Sequence, residues 1–230
     1  MVASRIQGTS MPIKRQLTNW VKRVLRPRGK TAFLANIRPK QRILDIGCGN
    51  NSPYFAKQIA PGCYYIGVDV GDTNQTFPNL ADEYVITSPD EFAATIGKFN
   101  GVDYVVSSHN LEHCNHREAT LEKMLAAVKP GGMIYLAFPS EASAHFPRRY
   151  GPLNYYDEKT HLAEPPKFDW VMGELARHGY QVAFAARKYQ PFITRCLGAL
   201  VEPISRLRGK VMIGTWDYYG FETVIWGVKR

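Results

Sequence analysis

Residues 42–55 read RILDIGCGNNSPYF, and this stretch decides the fold. Arg42–Gly47 is a short, largely apolar run with two isoleucines, the pattern of a strand covered on both faces. Ser52 can cap a helix and Pro53 suits its first turn, so residues 52–60 (SPYFAKQIA) read as helical. Between them lie Asp45 near the strand's end, Gly47 and Gly49 flanking Cys48, and the pair Asn50–Asn51. Glycine lets a backbone turn sharply and approach a ligand with no Cβ in the way. A strand, a bare turn and a helix with free N–H groups facing one crevice are the opening unit of a ligand-binding α/β sheet.

Further strand-like runs follow: YYIGVDV (64–70), EYVITS (83–88), VDYVVSS (102–108) and GMIYLAF (132–138). A helical stretch, REATLEKMLAAVKPGG (117–132), separates the last two and is expected to stop at Pro130 and the glycines. This alternation predicts a doubly wound, mostly parallel Rossmann-like sheet with helices on both faces. A late helix (165–180), a strand (181–189), an irregular or helical insertion (190–215) and a last strand (222–230) complete seven strands, the last antiparallel. Ligands of such sheets bind at the carboxyl ends of the strands, where the connection reverses.

Two segments depart from the alternation. Residues 11–29 space Ile13, Leu17, Trp20, Val21, Val24 and Leu25 on one helical face, with Lys14, Arg15, Lys22, Arg23 and Arg26 around the rest. Such a helix either packs on the domain and helps cover a ligand or lies on a membrane surface. Residues 139–164, rich in Pro, Tyr and His, form a variable loop too long to be a plain connection. The N-terminal helix and the insertions are expected to form a lid.

The chain has 230 residues, 45% hydrophobic and 21% charged, as expected for one soluble domain. No apolar run is long enough to span a membrane and no signal-peptide layout begins the chain, so a cytoplasmic setting is the default expectation. Cys48, Cys63, Cys114 and Cys196 form no C-x-x-C pair and read as reduced thiols. The net charge of +9 points to an acidic partner or to a solvated basic surface.

Asp69 ends the second strand, 22 residues beyond Gly47, with Val70 after it. A carboxylate there can accept hydrogen bonds from both hydroxyls of a ribose. The dinucleotide pattern G-x-G-x-x-G fails, because Ser52 stands at the third glycine.

LDIGCGNN, YIGVDV, VDYVVSSHNLEH and LAAVKPGGMIYLAFP, in that order and spacing, resemble the class I S-adenosylmethionine-dependent methyltransferases, within them the type 11/12 group. The resemblance covers roughly residues 40–140. It implies S-adenosyl-L-methionine as cofactor, with Gly47, Cys48 and Gly49 under its methionine part, Asp45 near its amino group, and Asn50 either touching the cofactor or holding the shape of the turn. Asp69 and Val70 would face the ribose, and Asp90 or Ser88 the adenine amine. Ser108, His109, Asn110, Leu111, Glu112 and His113 would line the side where methyl transfer occurs. An inactive cofactor-binding partner protein and an NAD-dependent oxidoreductase are the alternatives.

HNLEH (109–113) also matches the zinc-protease pattern H-x-x-E-H. That site needs both histidines on one helix face, whereas His109 falls on the strand-to-helix turn, so no metal is expected. Methylation of a hydroxyl is helped by a base; His113, His145, Asp157 and His161 are the candidates, His161 and His113 foremost. Tyr150, Tyr155 and Tyr156 are candidate substrate walls, and Arg148, Arg149 and Lys159 candidate contacts to a phosphate or carboxylate. The fourth strand lacks the Asn/Asp-Pro-Pro-Tyr of DNA amine methyltransferases, and no basic stripe with interleaved aromatics marks an RNA module. The expected acceptor is a small-molecule or saccharide-like hydroxyl compound, acidic or lipid-linked, methylated on oxygen.

Overall fold

Arg42–Ile46 form β1, with every residue after Arg42 buried. Its residues alternate between two apolar layers. Leu44 and Ile46 join one cluster, with Ile66 and Val68. Ile43 faces the other, with Tyr65 and Val106. Alternation with burial on both sides is the signature of a central strand. Asp45 shares the parity of Ile43, so its carboxylate enters the second layer.

The computed structural model describes residues 13–49, 51–161 and 163–230, with side chains from residue 17 onward. The strands are β1, β2 (Tyr64–Asp69), β3 (Glu83–Ile86), β4 (Val102–Ser108), β5 (Val128–Pro139), β6 (Tyr180–Ala186) and β7 (Glu222–Lys229). They make one sheet in the order β3-β2-β1-β4-β5-β7-β6. The pairs from β3 through β5 are parallel, and β7 runs antiparallel between β5 and β6. The chain reverses between β1 and β4, which opens the crevice that the sequence pattern predicts.

Helices α1 (Ile13–Leu25), α2 (Lys30–Leu34), α3 (Ser52–Ile59), α4 (Phe92–Ile96), α5 (Arg117–Ala127), α6 (Phe168–Arg177), α7 (Phe192–Leu207) and α8 (Thr215–Tyr219) complete the described elements with three short 3-10 turns. Phe33 and Leu34 of α2 and Ala56 of α3 pack on one face. Leu121, Met124 and Leu125 of α5 and Val171 and Leu175 of α6 pack on the other.

Two expectations change. α5 ends at Ala127, and Val128 is already extended and paired with Val102, so the KPGG segment belongs to β5. Proline disfavours helical angles in the residue before it, which ends the helix early. The stripe of α1 is not packed away: Leu17 and Trp20 are each 59% exposed, and Val21 and Val24 are exposed too. The expectations on Ile13, Lys14 and Arg15 concern side chains outside the described residues.

Candidate functional site

A cleft of about 520 Å³ opens over the carboxyl ends of β1, β4 and β5. Its floor includes Gly47 and Gly49 after β1, Ser108 and His109 at the end of β4, and Pro139 at the end of β5. Asn19 and Lys22 of α1 and Lys30 of α2 form one wall; Trp216 and Phe221 close another. Glu112, His113, Glu158 and His161 meet at one end.

The turn after β1 is held by its own side chains. Gly47 has φ +71°, and a Cβ there would stand 2.5 Å from Asn110 Oδ1. Only glycine permits both that angle and the packing of Asn110. Gly49 N–H donates to Asp69 Oδ2 and Val70 N–H to Asp69 Oδ1, each at 2.7 Å. The acid ending β2 therefore fixes the glycine turn. Burial raises its pKa against the pull of these amides. Asn51 adopts the left-handed region at φ 64°. Its Oδ1 accepts from Thr76 and Phe77 N–H, and its Nδ2 donates to the Asn74 carbonyl. Asn51 thus ties the turn to the loop after β2; Asn50 lies outside the described residues.

Ser52, at the missing third glycine, serves Asp45. The Asp45 carboxylate is fully buried and accepts from Ser52 Oγ at 2.7 Å, Tyr65 OH at 2.7 Å and Lys30 Nζ at 3.1 Å. Three donors satisfy a charge that would be costly alone. Asp45 does not reach the cleft surface; Lys30, bridging Asp45 and Ser52, does. No motif pointed to Lys30, which lies upstream of β1.

His109 also adopts positive φ, 53°. Its Nδ1 faces Glu112 Oε1 at 3.2 Å and its Nε2 faces Glu222 Oε1 at 2.7 Å. Two carboxylates on two ring nitrogens require two donors, hence an imidazolium. Burial opposes the charge, but the bonds to Glu112 and Glu222 outweigh it and hold the pKa at about 10. Glu222 also pairs with Arg26, which reaches Asp217 at 3.2 Å. Arg26, Glu222, His109 and Glu112 form a chain of alternating charge from α1 to the turn after β4.

The other sequence candidates separate. His113 and His161 stand together with ring centroids 4.9 Å apart. Burial lowers the pKa of His161, which leaves it neutral at neutral pH. His145 is exposed, and Asp157 accepts the Leu153 and Asn154 N–H groups in a capping box. The three tyrosines do not line the cleft: Tyr155 is buried and stacks on His161 at 4.1 Å, while Tyr150 and Tyr156 face solvent. Arg149 is committed to Glu202 in a bidentate pair of 2.6 and 2.8 Å, with Ser205 and Tyr219 beside it, so it offers no free charge. Arg148 and Lys159 are exposed. Cys48 is buried and Asn110 covers Gly47, while Val70 is exposed and Asp90 accepts from Asn115 Nδ2 at 3.1 Å.

A glycine turn fixed by the acid of the next strand, below a cleft at the reversal of the sheet, is where this fold binds its cofactor. The methyltransferase domain family matches residues 15–182. The chain belongs to that family. It has the class I fold, and S-adenosyl-L-methionine is the family's methyl donor. A ubiquinone/menaquinone biosynthesis C-methyltransferase of Cupriavidus metallidurans is 28% identical over 65% of this chain and 62% of its own. A tRNA (carboxymethyluridine(34)-5-O)-methyltransferase of Arabidopsis thaliana is 28% identical over 46% of this chain and 26% of its own. The curated relatives are matched over 26% to 62% of their lengths. A chain of the complex between the Haloferax volcanii Trm112 methyltransferase activator and a methyltransferase superposes with TM-score 0.60. It is 15% identical, with 93% of this chain and 94% of that chain covered.

The residues fit this cofactor. Gly47 and Gly49 present backbone without a Cβ to the cleft floor, and Lys30 brings a cation to the wall beside it.

Proposed function

We propose that this chain transfers a methyl group from S-adenosyl-L-methionine to an oxygen of a small-molecule or saccharide-like acceptor held in the cleft. The observation that carries the reading is the convergence of His113 and His161 in the cleft that the glycine turn also lines. His161 Nδ1 donates to the Tyr155 carbonyl at 2.6 Å and His113 Nδ1 to the Thr160 carbonyl at 3.2 Å. In its neutral form each ring therefore carries its lone pair on Nε2, available at the acceptor end of the cleft.

When bound, the cofactor supplies a methyl group on a positively charged sulfur, an electrophile that needs little further activation. The chain's part is to hold and orient. The Gly47–Cys48–Gly49 backbone would cradle the methionine portion, with Lys30 rather than Asp45 reaching its charged end. Asp69 would take the ribose hydroxyls with the lone pairs that its amide bonds leave free, and Asp90 the adenine amine. Asn19 and Lys22 of α1 would cover the acceptor as part of a lid.

The acceptor's source has a second reading. Leu17, Trp20, Val21 and Val24 of α1 are exposed beside Lys22 and Arg23, and Leu200, Ile204 and Leu207 of α7 are exposed as well. No described helix is long and apolar enough to cross a membrane, but an apolar stripe with basic flanks suits an anionic lipid surface. A lipid-linked acceptor would reach the cleft from there.

Calorimetry with S-adenosylhomocysteine, with NAD as comparator, tests the cofactor reading; failure to bind the former overturns it. Mass spectrometry of products from hydroxyl acceptors tests the rest. A methyl ether is expected; a C-methyl product or a methylated tRNA would replace the O-methyl reading. Co-sedimentation with phosphatidylserine vesicles, weakened by Trp20→Glu, is the expected result for the lipid surface, and no co-sedimentation removes it.

A further inference from the structure

The cluster at the acceptor end has more in common with a metal centre than with a pair of bases. One donor atom from each of Glu112, His113 and His161 lies within 4.8 Å of the other two. They come from two distant pieces of chain, Glu112 and His113 from the turn after β4 and His161 from the loop before α6, so local sequence does not bring His161 to the pair.

The hydrogen bonding selects for ligation. His113 and His161 each donate Nδ1–H to a backbone carbonyl, of Thr160 and Tyr155. This fixes the tautomer and aims the Nε2 lone pair, the arrangement that orients metal-bound imidazoles. Stacking on Tyr155 holds the His161 ring in place. Glu112 is fully buried; its Oε1 faces His109, and its Oε2 has no hydrogen-bond partner among the described residues. A buried carboxylate oxygen without a partner is costly unless something positive meets it. On the rim, Glu158 stands 3.6 Å from His161 Nε2 and 4.0 Å from His113 Nε2, too far for hydrogen bonds but close enough for a shared ion.

We propose that Glu112, His113 and His161 bind a divalent transition-metal ion of the zinc or manganese class, with Glu158 as a rim ligand. Two imidazole nitrogens favour such an ion over magnesium, which prefers oxygen ligands and water. Donors about 2.1 Å from one tetrahedral ion stand roughly 3.4 Å apart, so small side-chain rotations close the cluster. All four side chains line the cleft, and an open position of the ion faces it. On the O-methylation reading, that position takes the acceptor oxygen. The hydroxyl loses its proton to solvent more readily there, because a bound cation lowers its pKa. The histidines then act as ligands rather than bases. The H-x-x-E-H pattern misleads about the partner: His109 turns to Glu222, and His161 takes its place.

Calorimetry on tag-free, chelator-treated protein tests this with ZnCl2, MnCl2 and MgCl2, each apart from S-adenosylhomocysteine. One zinc or manganese ion per chain is expected. His113→Gln or His161→Gln should weaken binding by roughly 100-fold or more and Glu158→Gln by about tenfold, while His178→Gln, outside the cleft, changes nothing. Retained S-adenosylhomocysteine binding shows each variant to be folded; should His161→Gln fail to fold, the rim variant Glu158→Gln decides. The proposal is overturned if wild-type chain that binds S-adenosylhomocysteine takes up no ion. It is also overturned if the ligand variants bind as well as wild type, or if magnesium binds as tightly as zinc. Ion binding without S-adenosylhomocysteine binding would sink the methyltransferase reading and leave the metal site standing.

Discussion

Glu222 faces His109 Nε2 at 2.7 Å across 113 positions of sequence. The contact joins the first residue of β7 to the turn after β4 and helps hold His109 in a left-handed conformation that a non-glycine residue rarely adopts. With Arg26 on the other carboxylate oxygen, α1, β4 and β7 are locked around one buried charge.

That lock predicts the acid stability of the fold. Burial alone would raise the Glu222 pKa, but His109 and Arg26 bring it from 4.5 down to about 2. A depressed carboxylate stabilises the fold above its unfolded pKa, and the contribution fades as pH falls towards the folded value. The shift corresponds to about 3 kcal/mol, fully present at pH 7. Urea unfolding should therefore show wild type losing stability between about pH 5 and pH 2. Glu222→Gln should be weaker at pH 7 and flatter over that window. Equal slopes for the two proteins would remove Glu222 from this role.

Gly47 and Gly101 both have positive φ, +71° and +67°, but a Cβ at Gly101 meets nothing within 4 Å, while one at Gly47 strikes Asn110. Gly101→Ala should cost only backbone strain, about 1–2 kcal/mol. Gly47→Ala should cost more, because the turn or Asn110 must shift to clear the added Cβ, and that shift in the cofactor turn should weaken S-adenosylhomocysteine by about tenfold or more. Thermal melts and calorimetry separate the two effects. Similar behaviour of both variants would mean that the packing at Gly47 is irrelevant to binding.

Lys30 neutralises a fully buried acid. Lys30→Met should destabilise by about 2–3 kcal/mol, below the full value for a broken buried pair because the lysine is partly exposed. Asp45→Asn placed in the same chain should restore part of the loss, with a coupling of about 1–3 kcal/mol. Additive losses in denaturant melts would show that Lys30 and Asp45 act independently.

The sheet was legible because its signals are periodic and local: apolar runs at regular intervals, and glycines where β1 ends. The parallel pairing of the first five strands follows from the same alternation. What escaped were contacts with no local pattern. Lys30 lies before β1 in a short helix, and nothing in its neighbours marks it as Asp45's partner. Glu222 begins the last strand and meets His109 only through the antiparallel placement of β7. Arg149 looked free because its partner Glu202 is 53 residues away. The tyrosine-rich loop suggested a substrate wall, yet Tyr155 packs beneath His161, and a sequence does not show which side of a loop faces inward.

Thiol chemistry gives a direct check on the cofactor turn. Cys196 is exposed on α7, whereas Cys48 is buried between Gly47 and Gly49. Burial, then Asp45 and Asp69, push the Cys48 thiol well above the ordinary range, and burial carries Cys114 to about 11. Only the thiolate reacts with alkylating reagents. Native protein at pH 8 should label first at Cys196, with Cys48 slower by on the order of 100-fold and dependent on local opening of the turn. Peptide mapping after timed maleimide treatment reads this directly. Added S-adenosylhomocysteine should slow Cys48 further and leave Cys196 unchanged, because only Cys48 sits under the proposed cofactor. Labelling of Cys48 at the rate of Cys196 would mean that the turn is open in solution and that Asp69 and Asn51 do not hold it.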